Sequence, residues 1–362
     1  MLYGKIQIMK THAIIPIFIP HKGCPNDCVF CNQKAITART ADVSPEDVKN
    51  LIERYLPTLE NRGLETIEVA FFGGSFTGIP LEEQSAFLAV AKEYKDAGKI
   101  HKIHMSTRPD YIDEEILGNL KEYDADIIEL GVQSFDPEVL AASNRGHKVD
   151  DVYKACELIK SYGFELGIQL MIGLPEDSLE KCIYSANEAV KIGPSIARLY
   201  PTIVLNDTEL LEMYRRGEYD PLTTDEAVAI TKEMYKILDE AGINIIRVGL
   251  KSTDLITEGG EIQGHTYHPA FRQLVEGEIA KEHLEEQLET ILEEAASPKA
   301  KEMPNAATAC TFAFMSNGTS FSNMIGNSRA NKIYFEEKYP DLKIRFKTDH
   351  SLEDGKYVVV KY

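Results

Sequence analysis

Gly23-Cys24-Pro25-Asn26-Asp27-Cys28-Val29-Phe30-Cys31-Asn32-Gln33 places three cysteines within eight residues, in the spacing C-x3-C-x2-C. One loop of that spacing turns three thiolates toward a common centre. Three thiolates hold three irons of a [4Fe-4S] cube and leave the fourth iron open to a small molecule. The remaining cysteines, Cys156, Cys182 and Cys310, stand singly and far away. A structural zinc site is the alternative, but zinc wants a fourth ligand, and only His21 is near. Disulfides fit poorly, because nothing in the chain marks secretion.

Outward from this loop the pattern is regular. Residues 12–20 read as a buried strand that runs straight into the cysteines. Ser44-Pro45-Glu46-Asp47 is a helix start, with Ser at the N-cap, Pro in the first position and acids in the first turn. Strands follow at 66–72, 102–106, 126–132, 166–172 and 196–204. Helices are expected at 45–59, 81–97, 113–122, 137–143, 149–162, 177–192, 207–216 and 224–241. Strand then helix, six times, builds a parallel sheet with helices outside. Six units are too few to close an eight-unit barrel. The expected fold is α/β, an open (β/α)6 partial TIM barrel, over residues 1–250. Residues 251–298 are expected to be a helical extension and linker. Residues 299–362 are expected to form a small C-terminal α+β domain.

In such sheets the chemistry sits at the carboxyl ends of the strands. The cysteines follow the first strand and Gly73-Gly74-Ser75 the second; Ser106 and Arg108 follow at the third. Gln133 ends the fourth, and Gly173-Leu174-Pro175 follows the fifth. Glycines in such a turn let the backbone approach a ligand closely. Arg145, twelve residues after Gln133, offers a fork that suits a carboxylate.

Cys-x3-Cys-x-aromatic-Cys, with Phe30 before the third cysteine, resembles the signature of the radical S-adenosylmethionine (SAM) superfamily. The resemblance implies a [4Fe-4S] cluster on Cys24, Cys28 and Cys31, whose open iron binds SAM and cleaves it reductively to a 5′-deoxyadenosyl radical. It also implies an electron donor such as flavodoxin or ferredoxin. Gly73, Gly74 and Ser75 resemble the segment that holds the methionine amino group. The spacing of Gln133 and Arg145 is similar to that of the SAM-contacting pair in the oxygen-independent coproporphyrinogen oxidase branch. Phe30, Ser106 and Arg108 are carried over as further SAM contacts, although some of the superfamily have Glu at the position of Ser106.

Thr107-Arg108-Pro109-Asp110-Tyr111, Arg145-Gly146-His147 and Arg198-Leu199-Tyr200-Pro201-Thr202 resemble the radical SAM core of the Elongator catalytic subunit. So do Thr208-Glu209-Leu210 and Gly217-Glu218-Tyr219. The likeness covers roughly residues 12–250 and implies transfer RNA as substrate. Elongator has a wider cysteine spacing and an acetyltransferase domain, which the last 60 or so residues here do not resemble, so acetyl transfer is not carried over. Stand-alone bacterial proteins of Elongator type are the implied relatives. A haem-pathway enzyme or chaperone is the alternative within the superfamily, and a non-catalytic metal-binding RNA adaptor the alternative outside it.

Composition sets limits. The 43% hydrophobic and 27% charged residues are globular values. No apolar run approaches the roughly 18 residues that span a bilayer, so no membrane partner and a reducing cytoplasm are expected. The net charge of −19 argues against non-specific coating of nucleic acid. Its distribution is uneven: residues 1–40 carry +4 and residues 299–362 carry +3, so the middle carries −26. The two basic ends are therefore the expected RNA contacts. In the tail, Gly326-Asn327-Ser328-Arg329 before a helix resembles a KH-type clamping loop, with Arg329 in place of the second glycine.

Overall fold

The computed structural model describes residues 11–19, 28–32, 43–250, 262–296 and 311–362. Cys24, His21 and Cys310 lie outside them, as do the two ends of the expected extension and linker and most of the basic N-terminal segment. The chain divides into two units, Met1–Pro269 and Ala270–Tyr362.

The first unit is built on a parallel sheet of seven strands: β1 (His12–Ile19), β2 (Thr66–Gly73), β3 (Lys102–Thr107), β4 (Ile127–Gln133), β5 (Glu165–Ile172), β6 (Ile196–Pro201) and β8 (Asn244–Val248). They are ordered as listed in sequence, with β1 and β8 at the two ends. The helices between them are α1 (Pro45–Leu59), α2 (Leu81–Asp96), α3 (Glu114–Glu122), α4 (Pro137–Ala142), α5 (Val149–Ser161), α6 (Leu179–Ile192), α7 (Glu209–Arg215) and α8 (Thr224–Glu240). Their starts follow local chemistry. Ser44 and Asp47 form a capping box at α1, as Thr223 and Glu226 do at α8. Asp113, Asp136, Ser178 and Thr208 accept first-turn N–H bonds at α3, α4, α6 and α7.

The open barrel expected from the alternation is present, with one strand more. The seventh, β8, is five residues between Gly242 and Gly249, too short for its alternation to stand out in the sequence. The sixth strand is shorter than expected. It stops at Pro201, which has no N–H to continue the ladder; the next pair, β7 (Val204–Leu205), instead joins β9 (Ile262–Gln263) in an antiparallel ribbon.

The two faces of the sheet differ in a way that positions the site. The outer face carries Ile15, Ile17, Phe71, Met105, Leu130 and Ile168, all buried against helices. The inner face carries Phe18, Phe72, Ser106, Gln169, Met171 and Tyr200, all only half-buried. Side chains alternate along a strand, so the half-buried set lines a lumen that is not filled. At the amino-terminal side of this lumen lies a row of charge. His12 Nε2 meets Glu68 Oε1 at 2.9 Å, Glu68 Oε2 lies 3.4 Å from His104 Nδ1, and Arg198 Nε donates to Glu129 Oε2 at 2.6 Å. The Arg198 guanidinium also stacks 4.8 Å from the Phe72 ring. Gly167, on β5 between Glu129 and Ile196, leaves the room this row needs. A Cβ there would lie 2.8 Å from Ile196 Cγ1 and 3.2 Å from Glu129 Cβ.

The second unit contains α9 (Phe271–Ala296), β10 (Thr311–Ser316), α10 (Phe321–Ile325), α11 (Ala330–Lys338), β11 (Lys343–Thr348) and β12 (Val358–Lys361). Its sheet has the order β11-β10-β12, with β10 parallel to β11 and antiparallel to β12. Ala280, Leu284 and Leu288 of α9 share one core with Phe312, Phe314, Met324 and Phe335. The helix that the sequence places in an extension of its own is thus one wall of this unit. At the glycine loop, Ser328 and Arg329 take φ of 51° and 68°, so Arg329 adopts the left-handed conformation that a second glycine would favour.

Candidate functional site

The cysteine turn is local. Cys31 N–H donates to the Cys28 carbonyl at 2.9 Å, which folds Cys28 to Cys31 into one tight turn. Its position is set from afar. Val29 N–H donates to the Ser143 carbonyl at 3.2 Å, and the Val29 carbonyl accepts from Leu210 N–H at 2.8 Å. Asn32 Nδ2 donates to the Asn206 carbonyl at 2.8 Å. Val29 and Phe30 pack against Val204, Leu210 and Leu211. Phe30, carried over as a SAM contact, is thus also an anchor of the turn. Cys28 is buried and Cys31 half-buried.

Arg145 reaches this turn. Its Nη1 donates to Cys28 Sγ at 3.3 Å and its Nη2 to the Gly131 carbonyl. Its Nε, buried, has no partner among the described residues. Arg108 lies behind it. That guanidinium forks onto Asp110 at 2.9 and 3.0 Å and donates to the Arg145 carbonyl. Arg108 therefore holds the backbone that presents Arg145. His147, two residues on, is buried, and burial with the nearby Arg145 and Arg108 charges pulls its pKa down to about 4. It is a neutral imidazole at neutral pH.

Gln133 ends β4 in a bulge. Its φ is 72°, and the register with β5 shifts between Gly131 and Gln133. A bulge re-aims the side chain that follows it. Gln133 Oε1 accepts from Gln169 Nε2 at 3.1 Å, over the inner face. Gly131 makes the space beside it: a Cβ there would sit 2.9 Å from Gln133 Nε2 and 3.2 Å from Arg145 Nη2.

The glycine turn closes the other side. Gly73 has φ of 109°, and a Cβ would sit 2.7 Å from the Ile19 carbonyl oxygen. Gly74 N–H donates to that same oxygen at 3.0 Å, so the turn abuts the strand end that leads into the cysteines. Ser75 is buried at the start of the turn Phe76–Gly78. Thr77 Oγ1 bonds Thr107 Oγ1 at 2.6 Å and the Tyr111 carbonyl at 2.7 Å, which ties the glycine turn to the Arg108 segment. Ser106 stands half-buried on the inner face of β3.

Of the residues singled out in the sequence, Cys28, Gln133, Arg145 and Arg108 form one connected cluster, with Gly73–Ser75 tied to it through Thr77. Sequence reading missed Gln169. Its signal was the period-two row Gly167, Gln169, Met171 in a strand whose other residues are apolar. The lone cysteines behave differently. Cys156 and Cys182 lie on the buried faces of α5 and α6. Burial pushes the Cys156 thiol up to about 12, and burial with the Asp177 carboxylate raises that of Cys182 further.

The residues present fit a cluster and SAM. A turn presents Cys28 beside a guanidinium that complements thiolate charge, and a space beside Gly131 is lined by amide and guanidinium donors. Cys28, Cys31, Gln133, Gln169 and Arg145 are the described side chains that would hold the two groups.

A family model described as the radical SAM superfamily matches residues 18–188, and a radical SAM C-terminal domain model matches residues 194–281. The chain is 28% identical over 267 residues to the tRNA uridine(34) acetyltransferase of Methanocaldococcus infernus, covering 62% of this chain and 49% of that one. It is 26% identical over 276 residues to Elongator complex protein 3 of Homo sapiens, covering 64% and 50%. The chain thus spans about half the length of these relatives. The solved structure of the archaeal Methanocaldococcus infernus Elp3, with an N-terminal deletion, matches with a TM-score of 0.60 at 24% identity, over 76% of this chain and 64% of that one. That likeness is one of fold. The two family models together take in the cysteine turn and all but the first strand of the seven-stranded sheet, and the chain belongs to the radical SAM superfamily.

Proposed function

We propose that this protein is a radical SAM enzyme that modifies transfer RNA. The observation that carries the enzymatic part is the contact between Arg145 and Cys28, which joins a predicted cluster ligand to a predicted SAM-binding side chain at 3.3 Å. The RNA part rests on the relatives, whose names describe a transfer RNA uridine acetyltransferase and an Elongator subunit.

When bound, the cluster and SAM would supply a 5′-deoxyadenosyl radical, given an external electron donor such as flavodoxin or ferredoxin. The chain's own part is to bind, orient and shield. Cys24, Cys28 and Cys31 hold the metal. Arg145 offers its fork to the methionine carboxylate, and the Gly73–Ser75 turn offers backbone groups to the amino end. Gln133 and Gln169 present amides to the ribose hydroxyls. Phe18, Phe72 and Met171 give the lumen apolar walls, which suits a reactive radical.

Two measurements test this reading. Anaerobically reconstituted protein, given dithionite and SAM, should release 5′-deoxyadenosine. Nucleoside mass spectrometry of transfer RNA from a strain lacking the protein should show one modified nucleoside lost. Zinc without iron in anaerobically purified protein would overturn the enzymatic part. An unchanged nucleoside profile would overturn the RNA part alone.

A further inference from the structure

The second unit has two sides of opposite charge. On α9, eight Glu stand against one Arg and one Lys. This helix covers one face of the three-stranded sheet, through Ala280, Leu284 and Leu288 against Phe312 and Phe314. Gln287 binds the sheet as well, donating to the Tyr357 carbonyl and accepting from Val359 N–H. The side chains of β11 that point toward the core are Ile344 and Phe346. The alternate set, Lys343, Arg345 and Lys347, therefore lies on the opposite face.

Four cations of the unit are ion-paired: Arg272 with Glu276, Lys281 with Glu278, Lys332 with Glu336 and Lys338 with Glu285. Arg329, Lys356 and Lys361, like the three of β11, have no carboxylate partner among the described residues. The positions i, i+2 and i+4 of Lys343, Arg345 and Lys347 on a strand put the charges at steps of about 6.6 Å in a straight row. The row runs along an edge strand, so nothing in the sheet lies beyond it. The register sets the Tyr362 backbone beside Thr311, across β10 from Lys343, and the residue is 65% exposed. Lys347 Nζ donates to its hydroxyl at 3.0 Å and lies 4.5 Å from its ring centroid, which orders the ring on the same face.

We infer that this row is a docking platform for a single-stranded stretch of RNA. A positively charged track with an ordered aromatic ring lying across it is what a sugar–phosphate strand with stackable bases requires. The acidic helix on the opposite side repels the same strand and orients the unit. The inference rests on the RNA reading proposed above and assigns part of that recognition to the second unit. An edge strand rich in Lys also guards against strand-to-strand pairing, and the test separates the two roles.

The test uses the full-length, cluster-loaded protein and unmodified transfer RNA, with affinity measured across a salt series. Lys343→Gln/Arg345→Gln/Lys347→Gln should lower the slope of log affinity against log salt by about two, at roughly 0.7 per single-strand phosphate contact. Tyr362→Ala should weaken binding several-fold with the slope unchanged, since stacking carries no net charge. Release of 5′-deoxyadenosine without RNA should stay at the wild-type rate in both variants. Thermal unfolding of each variant confirms that the unit is folded. Wild-type slope and affinity in the triple variant would overturn the platform and leave the RNA reading standing, as would self-association of that variant with RNA affinity intact. Equal competition by polyglutamate would also overturn the platform. No RNA binding by the wild type at low salt would overturn both.

Discussion

Arg145 Nη1 lies 3.3 Å from Sγ of Cys28, 117 residues away in the chain, while Nη2 of the same guanidinium bonds the Gly131 carbonyl. One side chain therefore touches a predicted metal ligand and the strand end that bears Gln133. On the proposed reading, metal binding and the shape of the SAM pocket would be coupled through this residue, because displacing the guanidinium disturbs both contacts.

Arg145→Ala should bind SAM about 10- to 150-fold more weakly, the loss of roughly 1.5–3 kcal/mol for a hydrogen bond to a charged group. Arg145→Lys should recover only part of this, because an ammonium cannot fork. Titration calorimetry on reconstituted protein provides the measurement. Wild-type affinity in both variants would reduce Arg145 to a structural prop for the cysteine turn.

Replacing Cys24, Cys28 or Cys31 by Ala should abolish the broad absorbance near about 400 nm of the reconstituted cluster. Cys156→Ala and Cys182→Ala should keep it, since both thiols are buried with raised pKa values. Loss of the absorbance in either of the last two would mean a different ligand set.

Gly131→Ala adds one methyl group 2.9 Å from Gln133 Nε2 and 3.2 Å from Arg145 Nη2. The unfolding temperature should move by only a few degrees, about 1 kcal/mol in a domain of this size. SAM affinity should fall by at least tenfold, because the methyl group displaces both donors. A variant that binds SAM normally would show that the ligand does not use this space.

Much of this architecture could be read from the chain. Pro45 after Ser44, the five motifs at strand ends and the C-x3-C-x2-C spacing each have local causes, and local causes are legible. The bulge at Gln133 was not, because its positive φ arises from pairing with β5. Nor was the role of Arg108. Its fork onto Asp110 is two residues away, but its bond to the Arg145 carbonyl spans 37. The seventh strand escaped notice because five residues carry too little period to compete with the adjoining helix. The core membership of α9 depends on which sheet receives its stripe, and a stripe does not name its partner.

Stability should fall on the acid side in two stages. His147 is held neutral with a pKa of about 4, below its ordinary 6.5. The unfolded chain then binds the proton first, so its contribution is present above about pH 6.5 and is lost as pH falls toward 4. Burial raises the Glu68 carboxyl, but bonds from His104 and His12 outweigh it and bring it to about 2. Its contribution is present above pH 4.5 and disappears toward pH 2. Each stage is worth about 3 kcal/mol at most, at 1.36 kcal/mol per pKa unit. Urea unfolding at pH 7.0, 5.5 and 4.0, values of about neutral to mildly acid, resolves the first stage. His147→Gln should flatten it.

The turn that carries Cys28 and Cys31 is made early in the chain and seated late. Its anchors are Ser143, Asn206 and Leu210, and the bond from Asn32 to Asn206 spans 174 residues. A ribosome adding about 5–20 residues per second needs roughly 10–35 s to cover that distance. Until those residues have been made, the turn lacks the partners that seat it. Iron delivered during synthesis meets an unanchored peptide, whereas iron delivered afterwards meets a turn already held against Arg145. On the proposed reading, the order of translation sets when a cluster could enter a finished site, and the clock is the length of chain between Asn32 and Asn206.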